Sequence, residues 1–382
     1  MKYIFIVQGE GRGHMTQAIS LKNMLVKNGH DVSAVIVGKS PRRNIPSFFY
    51  QKINTKVLPV DSPNFVIDKK NKKIRITKSI LYSLLHASKY LKSIKTIQQV
   101  IRETNPDAII NFYDLLGGLF YLFNNPKIPY YCIGHQYLVF HPDFSFPPKH
   151  RIDRFLLKLN TRITSFRADR LLALSFHEMS DCNSKKISVV PPLLRKSVLE
   201  LKPKNEGFIH GYILNQGYAE DIINWHKNNP NFKAHFFWDK KDAEEETIIH
   251  RNLIFHKIND EKFLDYMSRC QGYASTAGFE SICEAMYLGK PVLMVPTEGH
   301  YEQKCNALDA TLSGAGIQSD TFNITKLLQY IPKHNNNHPA FKQWVRKADI
   351  LMPSILSAEE KPVNDVRRHK YISTKLTLKN SF

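Results

Sequence analysis

The residues that follow the first apolar segment are suited to holding an anion beside a proton acceptor. They read Gly9-Glu10-Gly11-Arg12-Gly13-His14 and come directly before a predicted helix. Glycines permit a tight turn and let a ligand approach the backbone, and a helix N-terminus attracts anions. The helix dipole also lowers the pKa of an imidazole there, which suits His14 to act as a general base near neutral pH. We therefore interpret His14 as catalytic and Gly11 and Gly13 as ligand-facing positions.

Two familiar glycine motifs do not fit this loop. The dinucleotide pattern G-x-G-x-x-G is absent, because the third glycine comes one residue early. The second predicted strand ends at Val37-Gly38-Lys39 without the acid that would hold a ribose hydroxyl, and the Walker pattern is absent as well. A lone histidine at this point is also typical of a polar residue that satisfies the first helical turn, but the glycines favour the catalytic interpretation.

A second cluster of polar groups follows a predicted strand in the second half of the chain. After Ala277, the backbone amides of Gly278 and Phe279 are placed to hold a diphosphate at a helix N-terminus. Glu284 lies about one and a half turns into that helix, where a carboxylate can accept hydrogen bonds from both hydroxyls of a ribose. Glu280 shares its helical face, but no His or Asp completes a metal site, and Glu280 by itself is typical of a first-turn helix acid.

Further polar residues stand in loops on both halves of the chain. Glu302 and Gln303 belong to a polar loop that can fix sugar hydroxyls, the alternative being a solvated helix N-terminus. In the first half, the residues that follow predicted strands, and that we expect on the acceptor side of a cleft, are Asp114, His135 and Gln136. Asp114 and His135 are alternative bases, although each by itself is more typical of a loop hydrogen bonder.

Residues 272–316 resemble the donor-binding region of GT-B nucleotide-sugar glycosyltransferases. They are most similar to the family 28 type, which includes the peptidoglycan N-acetylglucosaminyltransferase, and to its archaeal and bacterial glycosyltransferase-like branch. Residues 9–14 are similar to the N-terminal glycine loop of the same group, including its histidine. Many relatives have a Gly-Ser-rich loop where this chain has residues 214–218, and Arg or Ser where it has Thr276-Ala277.

The resemblance implies roles for several of these side chains. Glu284 would hold the ribose of the donor, Glu302 and Gln303 would contact the donor sugar, and His14 would lie near the reaction centre. It also implies chemistry without a metal or a cofactor, since the nucleoside-diphosphate sugar is a substrate. The charge of the leaving diphosphate would then be taken up by backbone amides and the helix dipole.

The elements that must position these residues alternate between strand and helix in both halves of the chain. That rhythm predicts an α/β protein of GT-B type, with two Rossmann-like doubly wound domains facing across a cleft. We expect an acceptor-binding domain at 1–192, a donor-binding domain at 205–345, and a helix and tail at 346–382 that pack back on the first domain. A linker containing Pro191-Pro192 joins the two domains.

Composition narrows the class of protein. The chain has 382 residues, 42% of them apolar and 23% charged, an ordinary globular profile that excludes disordered and collagenous proteins. No apolar run is long enough to cross a membrane. The five cysteines are scattered without a C-x-x-C pair, which argues against a zinc site or a disulfide framework. We predict a cytoplasmic protein.

The charge is concentrated in one half. The net charge is +20, and residues 1–200 carry 31 basic against 13 acidic side chains. A basic loop at 69–73, preceded by Phe65, Val66 and Ile67, can meet anionic lipid head groups. So can a predicted helix whose basic residues are Lys149, His150, Arg151, Arg154, Lys158, Arg162 and Arg167. We therefore expect peripheral contact with the inner face of the cell membrane.

Together these features predict transfer of a hexosyl group from a UDP-sugar to a hydroxyl of a lipid or glycan acceptor. One alternative on the same fold is a non-hydrolysing UDP-sugar 2-epimerase, which would need no acceptor. Another is a non-enzymatic basic protein that binds membrane or RNA. No RNA-recognition signature with interleaved aromatic residues is present, so nucleic acid is the disfavoured partner.

Overall fold

The computed structural model describes residues 1–40, 44–63, 86–213, 217–240, 243–335 and 338–357. Two seven-stranded sheets follow one another along the chain. Their strands are nearly continuous runs of buried residues, as in β1, where Tyr3, Ile4, Phe5, Ile6 and Val7 are all inaccessible to solvent. Such runs are typical of parallel strands with helices on both faces.

The N-terminal sheet is wholly parallel, with the order β3-β2-β1-β4-β5-β6-β7. Its strands are β1 Lys2–Gln8, β2 Asp31–Lys39, β3 Val57–Asp61, β4 Ala108–Phe112, β5 Tyr130–Gly134, β6 Arg170–Leu174 and β7 Ile187–Val190. The helices of this half are α1 Arg12–Lys27, α2 Ser47–Ile53, α3 Ala87–Thr104, α4 Leu115–Asn124 and α5 Arg151–Thr164.

The C-terminal sheet has the order β10-β11-β9-β8-β12-β13-β14, and only the edge strand β10 is antiparallel to its neighbour. Its strands are β8 Ile209–Ile213, β9 Ala234–Trp238, β10 Glu246–His250, β11 Leu253–Lys257, β12 Gly272–Ser275, β13 Val292–Met294 and β14 Gly316–Gln318. The helices from the linker onward are α6 Lys196–Leu199, α7 Gly217–Lys227, α8 Asp260–Arg269, α9 Phe279–Tyr287, α10 Tyr301–Leu312, α11 Ile324–Tyr330, α12 His338–Arg346 and α13 Ala348–Ser357.

Each sheet has one point where the chain reverses its direction of winding. In the first sheet this point lies between β1 and β4, and in the second between β8 and β12. Ligands of doubly wound sheets bind outside the carboxyl ends of the strands at such points. The loops that leave β1 and β12 carry the two motifs found in the sequence, so the topology places both motifs where a ligand is expected.

The linker and the last helices tie the two halves together. Leu193, Leu194 and Val198 are buried, so the predicted linker is packed against the protein along part of its length. The sequence pattern over 338–357 predicts a helix, and the structure has two there, α12 and α13, which both return to the N-terminal half. There the Trp344 indole donates to the Ser175 carbonyl at 2.9 Å, and the Tyr3 hydroxyl donates to the Leu356 carbonyl at 3.0 Å.

Most predicted elements lie within one or two residues of the observed ones. Sequence patterns did not predict the helices α2, α4, α6 and α11 or the strands β3, β7, β10 and β14. Most of these elements are too short to show a recognisable hydrophobic period, and α4 is apolar on nearly all sides. The basic loop at 69–73, the start of the predicted helix at 78–103, part of the loop at 214–218 and the tail beyond 357 lie outside the described residues. In the part of the chain that the structure describes, no helix is long and apolar enough to span a membrane.

Candidate active site

The glycine loop carries the chain from β1 into α1 at the carboxyl edge of the first sheet. The Gly9 N–H donates to the Gly38 carbonyl at 2.7 Å, and a Cβ on Gly9 would lie 2.8 Å from that oxygen. Only glycine therefore lets β1 leave the sheet so close to β2. A Cβ on Gly11 would meet open space, whereas one on Gly13 would touch the Glu280 side chain of the other domain. Gly13 thus lies at the contact between the domains.

His14 lies half-buried in the first turn of α1 between two amide side chains. Its ring stacks on Tyr113 with centroids 5.9 Å apart. Its Nδ1 is 3.3 Å from Gln17 Oε1, and its Nε2 is 3.5 Å from Gln136 Nε2. Burial lowers the pKa of His14, while Glu302 and Gln17 act in the opposite direction. Burial is thus the main cause that favours the neutral form of the ring near pH 7.

Gln136 connects His14 to the second domain. Its Nε2 donates to Glu302 Oε1 at 2.9 Å, in the first turn of α10. The neighbouring Gln303 turns away from this contact, and its Oε1 accepts a hydrogen bond from the Thr297 N–H at 2.7 Å. Gln136, predicted on the acceptor side, and Glu302, predicted on the donor side, are thus in direct contact. Gln303 instead stabilises the loop before α10.

The loop between β12 and α9 is held by its own backbone and by α10. The Gly278 N–H donates to the Thr276 carbonyl at 2.6 Å, and Asn306 Nδ2 donates to the Ala277 carbonyl at 3.1 Å. The Gly278 amide, predicted to hold a diphosphate, thus already donates a hydrogen bond within the loop. The Phe279 amide stands at the first helical position, where the helix itself supplies no acceptor.

Glu284 is 1% exposed and is held by an arginine that sequence reasoning missed. Arg195 Nε donates to Glu284 Oε1 at 2.6 Å, and the same guanidinium forms an ion pair with Asp260. Lys52 Nζ then lies 2.6 Å from Asp260 Oδ2, which extends the network from the linker to α2 of the first domain. Burial raises the pKa of Glu284, and the charge of Arg195 opposes that rise.

Glu280, interpreted from the sequence as an ordinary first-turn acid, lies at the contact between the domains and is 9% exposed. Its Oε2 accepts a hydrogen bond from Gln17 Nε2 at 3.0 Å, whereas its buried Oε1 has no hydrogen-bond partner among the described residues. Burial, followed by the nearby charge of Glu284, raises the pKa of Glu280 to about 8. The spacing of three residues between His14 and Gln17 on α1 is a sequence signal for their contact. No sequence pattern links Gln17 to Glu280.

The two alternative bases are engaged elsewhere. Asp114 caps α4, since its Oδ1 accepts from the Leu116 N–H and from Ser62 Oγ, both at 2.8 Å. Burial raises the pKa of Asp114 to about 6. His135 Nδ1 bonds the Leu174 carbonyl at 2.8 Å, and burial lowers the pKa of His135 to about 4. These contacts favour the structural interpretation of both residues.

His135 also packs against the donor loop. Its ring stacks on Phe279 with centroids 4.3 Å apart, and its Nε2 lies 3.6 Å from Asp309 Oδ2 on α10. His135 of the first domain thus packs against Phe279, the first residue of α9. Within the described ranges no group of three His, Cys, Asp or Glu side chains is arranged to hold a metal ion.

Comparisons with known proteins agree with this architecture. The model of a family described as glycosyl transferase family 1 matches residues 1–333. A Methanosarcina acetivorans protein, an "uncharacterized glycosyltransferase", is 24% identical over 340 residues, which cover 83% of this chain and 83% of that protein.

Solved structures show the same fold. Phytolacca americana UGT2, complexed with UDP-2-fluoro-glucose and pterostilbene, has a TM-score of 0.61 at 12% identity, covering 92% of this chain and 96% of its own. Acinetobacter baumannii MurG has a TM-score of 0.53 at 14% identity, covering 94% of this chain and 99% of its own. The predicted two-domain α/β GT-B fold is confirmed.

Proposed function

The chain belongs to glycosyl transferase family 1, and we propose that it transfers a hexosyl group from a UDP-sugar to a hydroxyl of an acceptor. The observation that carries the proposal is the position of His14. Its ring lies at the reversal point of the first sheet and reaches Glu302 of the second domain through Gln136. A base on one domain thus faces the residue proposed to bind the donor sugar on the other.

The proposed reaction uses the neutral ring of His14. Nε2 accepts the proton of the acceptor hydroxyl while the hydroxyl oxygen forms a bond to the anomeric carbon of the donor. The bond from that carbon to the diphosphate oxygen breaks, and the nucleoside diphosphate leaves with the electron pair. The Phe279 amide at the N-terminus of α9 is placed to stabilise the charge of the leaving group.

Glu284, Glu302 and Gln303 complete the proposed donor site. Glu284 would accept hydrogen bonds from the ribose hydroxyls, and Glu302 and Gln303 would contact the hexose. Because Arg195 already holds Glu284 at 2.6 Å, the ribose would meet a carboxylate whose orientation is set in advance. The proposal includes no metal ion and no cofactor.

Donor binding is tested first by thermal unfolding with UDP, GDP, ADP, TDP and NAD, each with and without magnesium. A ligand at 100 times its dissociation constant stabilises the folded state by about 2.7 kcal/mol. We expect a shift with UDP that does not depend on magnesium, and its loss in Glu284→Ala. An absence of any nucleotide shift in the wild-type protein would contradict the donor assignment.

We propose in addition that the acceptor is a lipid and that the protein docks on an anionic membrane through α5. Three apolar side chains on one face of this helix are exposed: Ile152 is 74%, Phe155 64% and Leu159 43% exposed. Basic residues flank them, and the Arg154 guanidinium lies 3.8 Å from the centroid of the Phe146 ring. Exposed apolar residues beside basic ones favour binding at the surface of an anionic bilayer.

Co-sedimentation with vesicles tests the docking surface. We expect binding to vesicles of phosphatidylglycerol, weaker binding to phosphatidylcholine alone, and a loss of binding when Ile152, Phe155 and Leu159 are all changed to Ser. Ile248→Ser is the matched control, since this residue is 68% exposed on β10 of the other domain. Equal binding by the triple variant and the control would exclude α5 as the docking surface.

A further inference from the structure

Three side chains from two domains form a continuous hydrogen-bonded series that ends at His14. Glu280 Oε2 accepts from Gln17 Nε2 at 3.0 Å, and Gln17 Oε1 lies 3.3 Å from His14 Nδ1. Gln17 is 3% exposed, so neither end of its amide has water as a ready substitute. The orientation of this amide therefore determines which hydrogen-bonding group His14 meets.

The donor and acceptor roles along the series are set by chemistry. An ionised carboxylate can only accept, so whenever Glu280 is ionised the NH₂ group of Gln17 must face it. The Gln17 carbonyl oxygen then faces His14 Nδ1, and because that oxygen can only accept, Nδ1 must carry the proton. A neutral imidazole carries one proton, which leaves a lone pair on Nε2.

The opposite side of the ring agrees with this assignment. Gln136 Nε2 carries two hydrogens, of which one is donated to Glu302 Oε1 at 2.9 Å. The other is directed to His14 Nε2 at 3.5 Å, so this nitrogen is met by a donor. Both neighbours of the ring thus favour the tautomer with its proton on Nδ1.

We infer that Glu280, in its ionised form, is a positioning residue, which acts from the second domain through the Gln17 amide to hold His14 in the tautomer whose Nε2 is free to accept a proton. This inference rests on the proposed function, in which His14 is the base. It also makes the base depend on contact between the domains, because Gln17 belongs to α1 and Glu280 to α9.

Protonation of Glu280 would remove the constraint. A carboxylic acid can donate to the Gln17 carbonyl, the amide can then turn over, and its NH₂ group would face His14 Nδ1. In that state Nε2 carries the proton and cannot accept another. The charged groups around Glu280 are Glu284 on the same helix and Arg195 from the linker. Burial raises the pKa of Glu280 to about 8, so the ionised form, and with it the constraint on Gln17, predominates only above that pH.

Glu280→Gln tests the inference, since a Gln side chain at 280 can donate as well as accept and so permits either orientation of Gln17. At a pH above 8, where Glu280 is mainly ionised, we expect kcat to fall roughly tenfold, within the range of acid–base contributions, with KM for the donor unchanged. Glu261→Gln is the control, because Glu261 is an exposed first-turn acid of α8 in the same domain. An unchanged kcat in Glu280→Gln would overturn the inference.

An exchange of the two side chains separates positioning from packing. In the double variant Gln17→Glu with Glu280→Gln, the carboxylate at 17 accepts both from His14 Nδ1 and from the amide at 280. We expect kcat to recover toward the wild-type value, and the acid limb of the kcat/KM profile to move to higher pH, since a carboxylate now touches the imidazole. A kcat that stays as low in the double variant as in Glu280→Gln would contradict the positioning role.

Nitrogen NMR gives a readout that does not need activity. In protein labelled with ¹⁵N-histidine, the signals of His14 are assigned by their loss in His14→Gln. At a pH above 8, we expect Nδ1 to be protonated and Nε2 bare in the wild type, and a mixture of tautomers in Glu280→Gln. Transfer that depends on His14 together with an unchanged tautomer in Glu280→Gln would refute the positioning role alone. Full transfer by His14→Ala would refute the proposed base, whatever the tautomer.

Discussion

Two regions of the domain interface are built around carboxylates one helical turn apart on α9. Glu280 faces the neutral amide of Gln17, and burial raises its pKa to about 8. Glu284 faces the Arg195 guanidinium, which opposes the effect of its burial. We refer to these as the amide region and the ion-pair region.

The comparison teaches that helical position does not decide what a buried carboxylate does. The Arg195 guanidinium favours the ionised form of Glu284, and so opposes the rise in its pKa that burial causes. Without such a partner Glu280 titrates near neutral pH and can change from an acceptor to a donor. The ion-pair region is thus suited to a constant contact, and the amide region to one that depends on conditions.

The largest effect on kcat is expected at His14, the residue that Gln17 contacts in the amide region. His14→Ala removes the proposed base, and kcat should fall by about 10²- to 10⁴-fold, the usual contribution of general base catalysis. A transfer assay at saturating donor measures it. Because the proposed donor contacts are all on the second domain, UDP should still stabilise the variant against heat; a variant that had lost both properties would point to misfolding.

In the ion-pair region, Arg195→Met should lower the free energy of unfolding by about 3–5 kcal/mol. The substitution leaves Glu284 and Asp260 buried without their partner, which costs more than the loss of the pair itself. Urea unfolding measures the change. The control is Lys196→Met, whose side chain is 82% exposed and which should differ from the wild type by less than about 0.5 kcal/mol. Equal free energies of unfolding for Arg195→Met and Lys196→Met would show that the ion pair does not stabilise the ion-pair region.

The pH dependence of stability should distinguish the two carboxylates. The pKa of Glu280 is raised in the folded chain, so the stability it contributes is complete below its unfolded pKa and is lost as the pH rises toward 8. Relative to Glu280→Gln, the wild-type free energy of unfolding should therefore fall between pH 5 and pH 8, by at most about 1.4 kcal/mol per pH unit. Urea titrations at each pH measure it.

The same titration with Glu284→Gln provides the contrast. Its difference from the wild type should change less with pH, because Arg195 favours the ionised form of Glu284. Identical slopes for the two variants would show that the amide and ion-pair regions do not differ in the way described.

The smallest effect is expected at the outer end of the ion-pair region. Lys52 is 39% exposed and lies 2.6 Å from Asp260, so Lys52→Met should cost about 1 kcal/mol or less. A double-mutant cycle with Asp260→Asn measures the coupling between the two side chains. A coupling as large as the effect of Arg195→Met would mean that the domains are joined mainly through Lys52.

Much of the fold could be predicted from local patterns. The buried runs of β1 and β4 and the glycines between β1 and α1 are recognisable because strand period and glycine sterics act over a few residues. The two-domain architecture follows from the repetition of that rhythm. The edge strand β10 escaped detection because only one of its faces is covered, so few apolar residues distinguish it.

The site was predictable only in part. His14, Gln136 and Glu302 were each singled out from the sequence, and the structure brings them into contact. Arg195 follows the buried pair Leu193-Leu194. Two adjacent leucines are a weak sequence signal that the arginine after them is also buried. Nothing in that signal names its partner, since Glu284 lies 89 positions further along the chain.

The sequence by itself determined where the polar groups of this protein would collect, because strand order and glycine loops bring the ends of parallel strands together. Only the tertiary structure decided which groups pair and which carry charge. Glu280 and Glu284 are the same residue type on the same face of one helix. One meets an amide and the other a guanidinium, because segments far apart in the chain approach them, and a pKa depends on burial and on the nearest partner.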